Sequence, residues 1–387
     1  MINKNLLILS IGQTFSYTSP VVNVLLSGII GSQLNNIIML STLPTALMVV
    51  GTAIGSLFAS KIMSIKGRKF GFILSSLVST LACLLCAFSI YIESFFLYSF
   101  GNLIIGLSFS FVQLYRFAAS ENVSNVNKPR AISLILLLGI LATILGSNIV
   151  SLSKDIFFIT YVGSYVTLSI LNFIPFLFFI FYDDLESTVS VNHFFFSKKN
   201  IIKLLSNNSI KLAISSSAIG FVTMSLIMTA TPLSMHLINE FSLMKTSIVI
   251  QLHSVGMFLP SLFTAELIKR FGHRRMLFIG IFVMFSCIGI NFFLQTYYSF
   301  MIALILLGVG WNFLFITGTS LLVISYDYRD RFIAQGLNDF IVFTTQALGA
   351  LLAGVVLFLI GWKILNLICI PFLLIILFFL KVEKNIN

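Results

Sequence analysis

Apolar runs of about 20 residues recur from one end of this chain to the other, and each is long enough to cross a hydrocarbon layer about 30 Å thick as an α-helix. Twelve are read, at 6–28, 37–60, 70–91, 95–119, 131–152, 156–181, 212–237, 246–268, 276–296, 298–324, 336–360 and 362–380. A closed β-barrel also satisfies its own backbone in lipid, but it would show alternating segments of about 10 residues. Only 9% of the 387 residues are charged and 58% are hydrophobic, whereas soluble domains carry about 25% charge. So few charges cannot cover a water-facing surface. The expected fold is an all-α integral membrane protein of twelve transmembrane helices.

The first run follows a lone Lys4 and lacks a small-residue cleavage site, so it is read as a retained helix and not a signal peptide. Cys83, Cys86, Cys287 and Cys369 all fall inside apolar runs, which points to neither a disulfide framework nor a metal knuckle. No pair of His, Cys, Asp or Glu shows a trusted metal-ligand spacing, and no cofactor is expected. A membrane-embedded enzyme would need clustered acids, histidines or a nucleophile pair near one interface. The chain shows none, and it is not read as an enzyme.

Basic residues set the orientation. Alternate loops hold Lys61, Lys66, Arg68 and Lys69; Lys128 and Arg130; Lys198, Lys199 and Lys203; Lys269, Arg270, Arg274 and Arg275; and Arg329 and Arg331. The opposite loops hold Lys154, Lys245 and Lys363. The positive-inside rule therefore puts the first set, and both termini, in the cytoplasm. The net charge of +11 reflects anchoring beside anionic lipid and not nucleic-acid binding.

The extended polar stretch 182–209 divides the chain into 1–181 and 210–387, two expected six-helix bundles related by pseudo-symmetry. The basic turn Lys66-Gly67-Arg68-Lys69 has its counterpart in Phe271-Gly272-His273-Arg274-Arg275, the glycines lying 205 residues apart. An internal repeat of this kind is typical of secondary transporters.

With six plus six helices and a Gly-Arg turn after helices two and eight, the chain resembles the major facilitator superfamily over almost its whole length. The loop motif is carried by Gly67, Arg68 and Lys69 and again by Gly272, Arg274 and Arg275. Ser64 and Lys269 stand where the family usually has aspartate, so the usual link from this loop to helix eleven lacks its acid. Gly308-Val309-Gly310-Trp311-Asn312-Phe313-Leu314-Phe315, Gln335-Gly336-Leu337-Asn338-Asp339-Phe340 and Gln113-Leu114-Tyr115-Arg116-Phe117-Ala118-Ala119 resemble one bacterial branch of these carriers. Some similar carriers are assigned to riboflavin.

Ionisable residues inside a span cost about 2.5–3.5 kcal/mol at the helix centre on insertion scales, so each requires a reason. Arg116 lies five positions before Glu121, about 7 Å from the cytoplasmic end. It reads as a snorkelling side chain, as a clamp on the neighbouring helix end, or as a cavity residue for an anionic or hydrogen-bonding substrate group. Asp339 lies eight positions after Arg331, about 12 Å along helix eleven. With Asn338 and Arg116 it is the candidate for proton coupling or gating, against a structural hydrogen-bond network. His236 and His253 read as structural or proton-sensing residues, and Glu266 as an interfacial charge beside Lys269 and Arg270. The resemblance places helices one, four, seven and ten around the central cavity. It makes Gln13, Tyr17, Asn23, Arg116, Thr229, Trp311 and Asn312 the candidate substrate contacts, with interhelical packing as the alternative reading.

The function expected is secondary active transport of a small organic solute across the bacterial cytoplasmic membrane by alternating access. Proton-coupled uptake of a vitamin-like or aromatic solute such as riboflavin is favoured, drug or metabolite efflux is the alternative, and an enzyme or transporter-derived sensor is remote. A monomer is expected, with the lipid bilayer and a small-molecule substrate as its partners.

Overall fold

The computed structural model describes residues 3–35, 40, 43–184 and 198–383. Every regular element among them is helical: α1 (Lys4–Ser16), α2 (Thr18–Leu34), α3 (Leu43–Tyr91), α4 (Phe95–Val112), α5 (Tyr115–Glu121), α6 (Lys128–Leu137), α7 (Gly139–Ser153), α8 (Val162–Phe179), α9 (Lys198–Ser206), α10 (Asn208–Leu233), α11 (Leu243–Phe258), α12 (Ser261–Phe293), α13 (Tyr297–Ser325) and α14 (Arg331–Val382). Helix starts follow local chemistry. Asn3, Ser94, Asn207, Ser242 and Thr296 each accept a hydrogen bond from a first-turn backbone N–H, which would otherwise have no partner in the helix.

Helices and spans do not correspond one to one. The 49 residues of α3 would extend about 73 Å at 1.5 Å per residue, more than twice the apolar thickness of a bilayer. The helix is broken at Gly67, with φ 86° and ψ 166°, a region that only glycine adopts readily. Gly272 in α12 and Gly361 in α14 take nearly the same conformation. Each therefore joins two passes, Gly361 at the boundary expected between 336–360 and 362–380. In other spans one pass is made of two helices. Tyr17 separates α1 from α2, Gln113 and Leu114 separate α4 from α5, and Leu138 separates α6 from α7. Reckoned this way, the helices are consistent with twelve passes. Within the expected loop 182–209, Lys198–Ser206 form α9, and residues 185–197 lie outside the described residues.

The chain packs as two compact units. One comprises Met1–Ser124, Leu138–Phe195 and Tyr328–Phe340; the other comprises Asn125–Leu137, Phe196–Asp327 and Ile341–Asn387. Each unit thus incorporates one short segment from the other half of the sequence, and these two segments are displaced by nearly the interval between Gly67 and Gly272. In the first unit α3 packs on α4 and α8, and in the second α13 packs on α10, α11 and α12. Small residues bring these backbones together, as is usual between membrane helices. A Cβ on Gly106 would lie 1.9 Å from the Met48 carbonyl oxygen.

The turn at Gly67 is pinned by Asp184, whose carboxylate accepts a hydrogen bond from the Lys69 N–H at 2.9 Å. A Cβ on Gly67 would lie 2.4 Å from Asp184 Oδ2, whereas one on Gly361 would meet nothing within 4 Å. Gly67→Ala is therefore expected to lower stability by more than Gly361→Ala, which carries only the backbone strain of about 1–3 kcal/mol. Thermal unfolding of the detergent-solubilised variants measures this, and equal losses would contradict it.

Candidate functional site

The break at Gln113 and Leu114 determines where Arg116 points. Leu114 N–H donates to the Phe111 carbonyl at 3.1 Å, a tightened turn that lets α5 start afresh one residue later. Arg116 is 1% exposed and Asp339, from the start of α14, is 0% exposed. The two form an ion pair within the first unit, Arg116 Nη2 donating to Asp339 Oδ1. Asn338 Nδ2 donates to the same oxygen at 2.8 Å, and Arg116 Nη1 donates to Gln113 Oε1 at 3.0 Å. The guanidinium also lies 4.6 Å from the Phe117 ring centroid. Tyr17 is within electrostatic range of Arg116, and its ring meets Phe109 edge-on at 5.2 Å.

This burial rules out the snorkelling geometry for Arg116. A buried pair of this kind is held by its hydrogen bonds as much as by its charges, because desolvation opposes the Coulomb attraction. Asp339 Oδ2 accepts no hydrogen bond from the described residues. The acid thus keeps one oxygen for a proton or a donor group while the other holds the arginine.

A second buried cluster lies nearby in sequence. Arg68 donates from Nε to Glu121 Oε2 at 3.1 Å, from Nη2 to Glu121 Oε1 at 2.6 Å and to Gln335 Oε1 at 2.7 Å. Gln335 Nε2 returns a bond to Glu121 Oε1 at 3.1 Å, and Arg331 Nε is 3.9 Å from that same oxygen. The basic turn is therefore linked to helix eleven even though Ser64 occupies the usual aspartate position; Ser64 bonds only locally, to the Lys61 carbonyl. Glu121 supplies the acid. In the sequence it marks the end of a span, and nothing local distinguishes it from an interfacial charge.

The second unit has a related link, in which Arg130, from the short segment of the first half, pairs with Glu266 of α12. The partner of Glu266 is thus Arg130, where the sequence places it beside Lys269 and Arg270. Glu121, Gln335, Gln113 and Arg130 are the residues that sequence reasoning left unassigned.

The other candidates are dispersed. Gln13 is buried one helical turn before Tyr17. Asn23 donates to Asn102 Oδ1, joining α2 to α4. Asn312 accepts from Thr264 Oγ1 at 2.7 Å and donates to the Met257 carbonyl at 2.7 Å and Ser261 Oγ at 2.8 Å. It bridges the break between α11 and α12. Trp311 is stacked on Phe315 at 5.1 Å and meets Phe221 edge-on at 5.1 Å, with its Nε1 unbonded among the described residues. Thr229 is exposed on α10. His253 is buried with Nδ1 2.8 Å from the Leu304 carbonyl oxygen, and the side chain of His236 lies outside those described. Gly67, Arg68 and Lys69 form the turn described above, Gly272 breaks α12, Arg274 is half-buried beside it, and Arg275 is exposed.

A family model described as Major Facilitator Superfamily matches residues 6–333 and 212–385. The chain is 32% identical over 380 residues to "Riboflavin transporter RfnT" of Brucella anthropi, covering 97% of this chain and 94% of that protein. It is 26% identical to the uncharacterized MFS-type transporter YdeG of Bacillus subtilis, covering 95% and 90%. Among solved structures, the E. coli fucose:proton symporter FucP superposes with a TM-score of 0.76 at 16% identity, covering 97% of both chains. The human organic anion transporter MFSD10 gives 0.77 at 15% identity, covering 97% and 99%. At those identities the solved structures establish the fold alone.

The geometry makes the Arg116–Asp339 pair interdependent. Arg116→Met or Asp339→Leu alone is expected to cost about 3–5 kcal/mol, since each strands a buried charge, while the double variant loses less than the sum. Thermal unfolding of the four proteins closes the cycle; additive losses would contradict the pairing.

Proposed function

Because the chain belongs to the Major Facilitator Superfamily and is a secondary transporter, not an enzyme, we propose that its solute is riboflavin or a closely similar planar heterocycle, carried into the cell. The observation that supports this most is the 32% identity spread over 97% of the chain, which leaves no long segment of either protein unmatched. Flavin chemistry suits the candidate residues. A tricyclic ring with a polar edge and a hydroxylated side chain asks for aromatic faces and a few hydrogen-bonding groups in a largely apolar setting. Tyr17 and Trp311 supply the faces. Gln13, Arg116 and Thr229 supply polar contacts. Asn23 and Asn312 act through the helix contacts they bridge, and would reach solute only by exchanging those bonds.

Proton coupling is assigned to Asp339. Protonation removes one charge of a buried pair and takes from Arg116 its ionised partner, a change large enough to favour a different arrangement of α5 and α14. Asn338, bonded to the same carboxylate oxygen, positions it. The basic turns at Gly67 and Gly272 and both termini are assigned to the cytoplasmic side of a bacterial inner membrane, on the distribution of Lys and Arg. The chain is read as a monomer of two six-helix bundles, 1–181 and 210–387.

Uptake of labelled riboflavin by proteoliposomes tests the substrate. Saturable uptake that unlabelled riboflavin suppresses and fucose does not is expected; no uptake under any imposed gradient would overturn the assignment. In the same vesicles Asp339→Asn is expected to lose proton-driven accumulation and keep exchange of internal for external solute. Unchanged accumulation by this variant would remove Asp339 from the coupling step.

A further inference from the structure

A cavity of about 450 Å³ opens between the limb of α12 that follows Gly272 and the end of α14, lined by Arg274, Phe278, Leu377 and Lys381. All four belong to the second unit, and apart from Arg274, which is part of the basic turn at Gly272, none takes part in the transport assignments above. We propose that this cavity is a binding site for the headgroup of an anionic phospholipid, phosphatidylglycerol being the simplest example.

The arrangement repeats on the two helices. On α12, Arg274 stands near the Gly272 break, where the chain turns between passes, and Phe278 lies four residues further along the same face. On α14, Lys381 stands in the last turn, and Leu377 lies four residues back. Each helix therefore presents a cation at the end of its pass and an apolar side chain about one turn, or 6 Å, deeper. That is the order in which a phospholipid presents its phosphate and its glycerol and acyl groups. A soluble phosphate or sugar phosphate would have no use for the apolar floor.

The cations are held differently. Arg274 is half-buried and donates from Nη1 to the Glu383 carbonyl at 2.8 Å, which fixes its guanidinium across the gap between the helices. Lys381 is exposed and free to swing toward a phosphate. Among the described residues the lining of the cavity holds two cations and no acid. Phe278 is 43% exposed and Phe378, the residue after Leu377, is 63% exposed, as expected of side chains that face acyl chains. Basic cavities between membrane helices are recognised sites for anionic headgroups.

Native mass spectrometry of the full chain in detergent, titrated with dioleoyl phosphatidylglycerol, tests this. One retained lipid is expected, with dioleoyl phosphatidylcholine and free glycerol 3-phosphate each retained at least tenfold less. Lys381→Gln, at an exposed position that disturbs no folded contact, should weaken retention about fivefold, and Arg274→Gln with Lys381→Gln together should weaken it more than tenfold. Unfolding temperatures without lipid show that the variants are folded. Equal retention of the zwitterionic lipid, equal retention by Lys381→Gln, or equal binding of glycerol 3-phosphate would each overturn the proposal.

Discussion

Removing two opposite charges from water costs more than their attraction returns, unless the remaining lone pairs and N–H groups are also met. Arg116 and Asp339 exist under that constraint. They lie 223 positions apart in sequence, are almost wholly inaccessible, and are braced by Gln113 on one side and Asn338 on the other. In a chain with so few intramembrane charges, that pair fixes how the beginning of α14 sits against α5. The tightened turn at Gln113 and Leu114 is needed to aim the arginine, and the Arg68, Glu121 and Gln335 cluster continues the same polar line toward the basic turn.

The exchange of segments gives these contacts their meaning. Residues Tyr328–Phe340 belong with the first unit and Asn125–Leu137 with the second, and both are held by ionic contacts, Arg68 and Arg331 with Glu121 in one and Arg130 with Glu266 in the other. Helix α14 therefore leaves the first unit after Phe340, one residue past Asp339. Asp339 thus stands beside the point at which the helix passes from one unit to the other, which is where the proposed change of its charge would act.

Much of the fold was legible because the bilayer demands continuous apolar runs, and because a basic Gly-Arg turn recurs at Gly67 and Gly272. Gly361 was found at the junction of two runs for the same reason. The breaks at Tyr17 and Leu138 were not legible, although Pro20 lies three residues after the first and Gly139 directly after the second, because proline and glycine are also frequent inside membrane helices that continue. The amphipathic α9 was passed over within a polar loop. Arg116 and Asp339 were both singled out as costly charges, but their pairing is a long-range fact with no local signature. Glu121 was passed over because a carboxylate at the end of a span has an innocent explanation in water, and only the approach of Arg68 and Gln335 takes it out of water. Asn312, conspicuous in its motif, proved to bridge a helix break through three hydrogen bonds.

A secondary transporter of this family works by alternating access, and under the proposed division into bundles 1–181 and 210–387 the contacts that tie residues 328–340 to the first half of the sequence part during each cycle. Glu121 and Gln335 touch side chain to side chain at 3.1 Å, and the four native cysteines are buried and remote from reagent. The most direct measurement joins Glu121→Cys to Gln335→Cys with a short reducible cross-linker and follows solute exchange in proteoliposomes. Exchange should stop in the cross-linked protein and return on reduction. Exchange continuing at the uncross-linked rate would contradict the account, because the segment that carries Asp339 would then have no need to move.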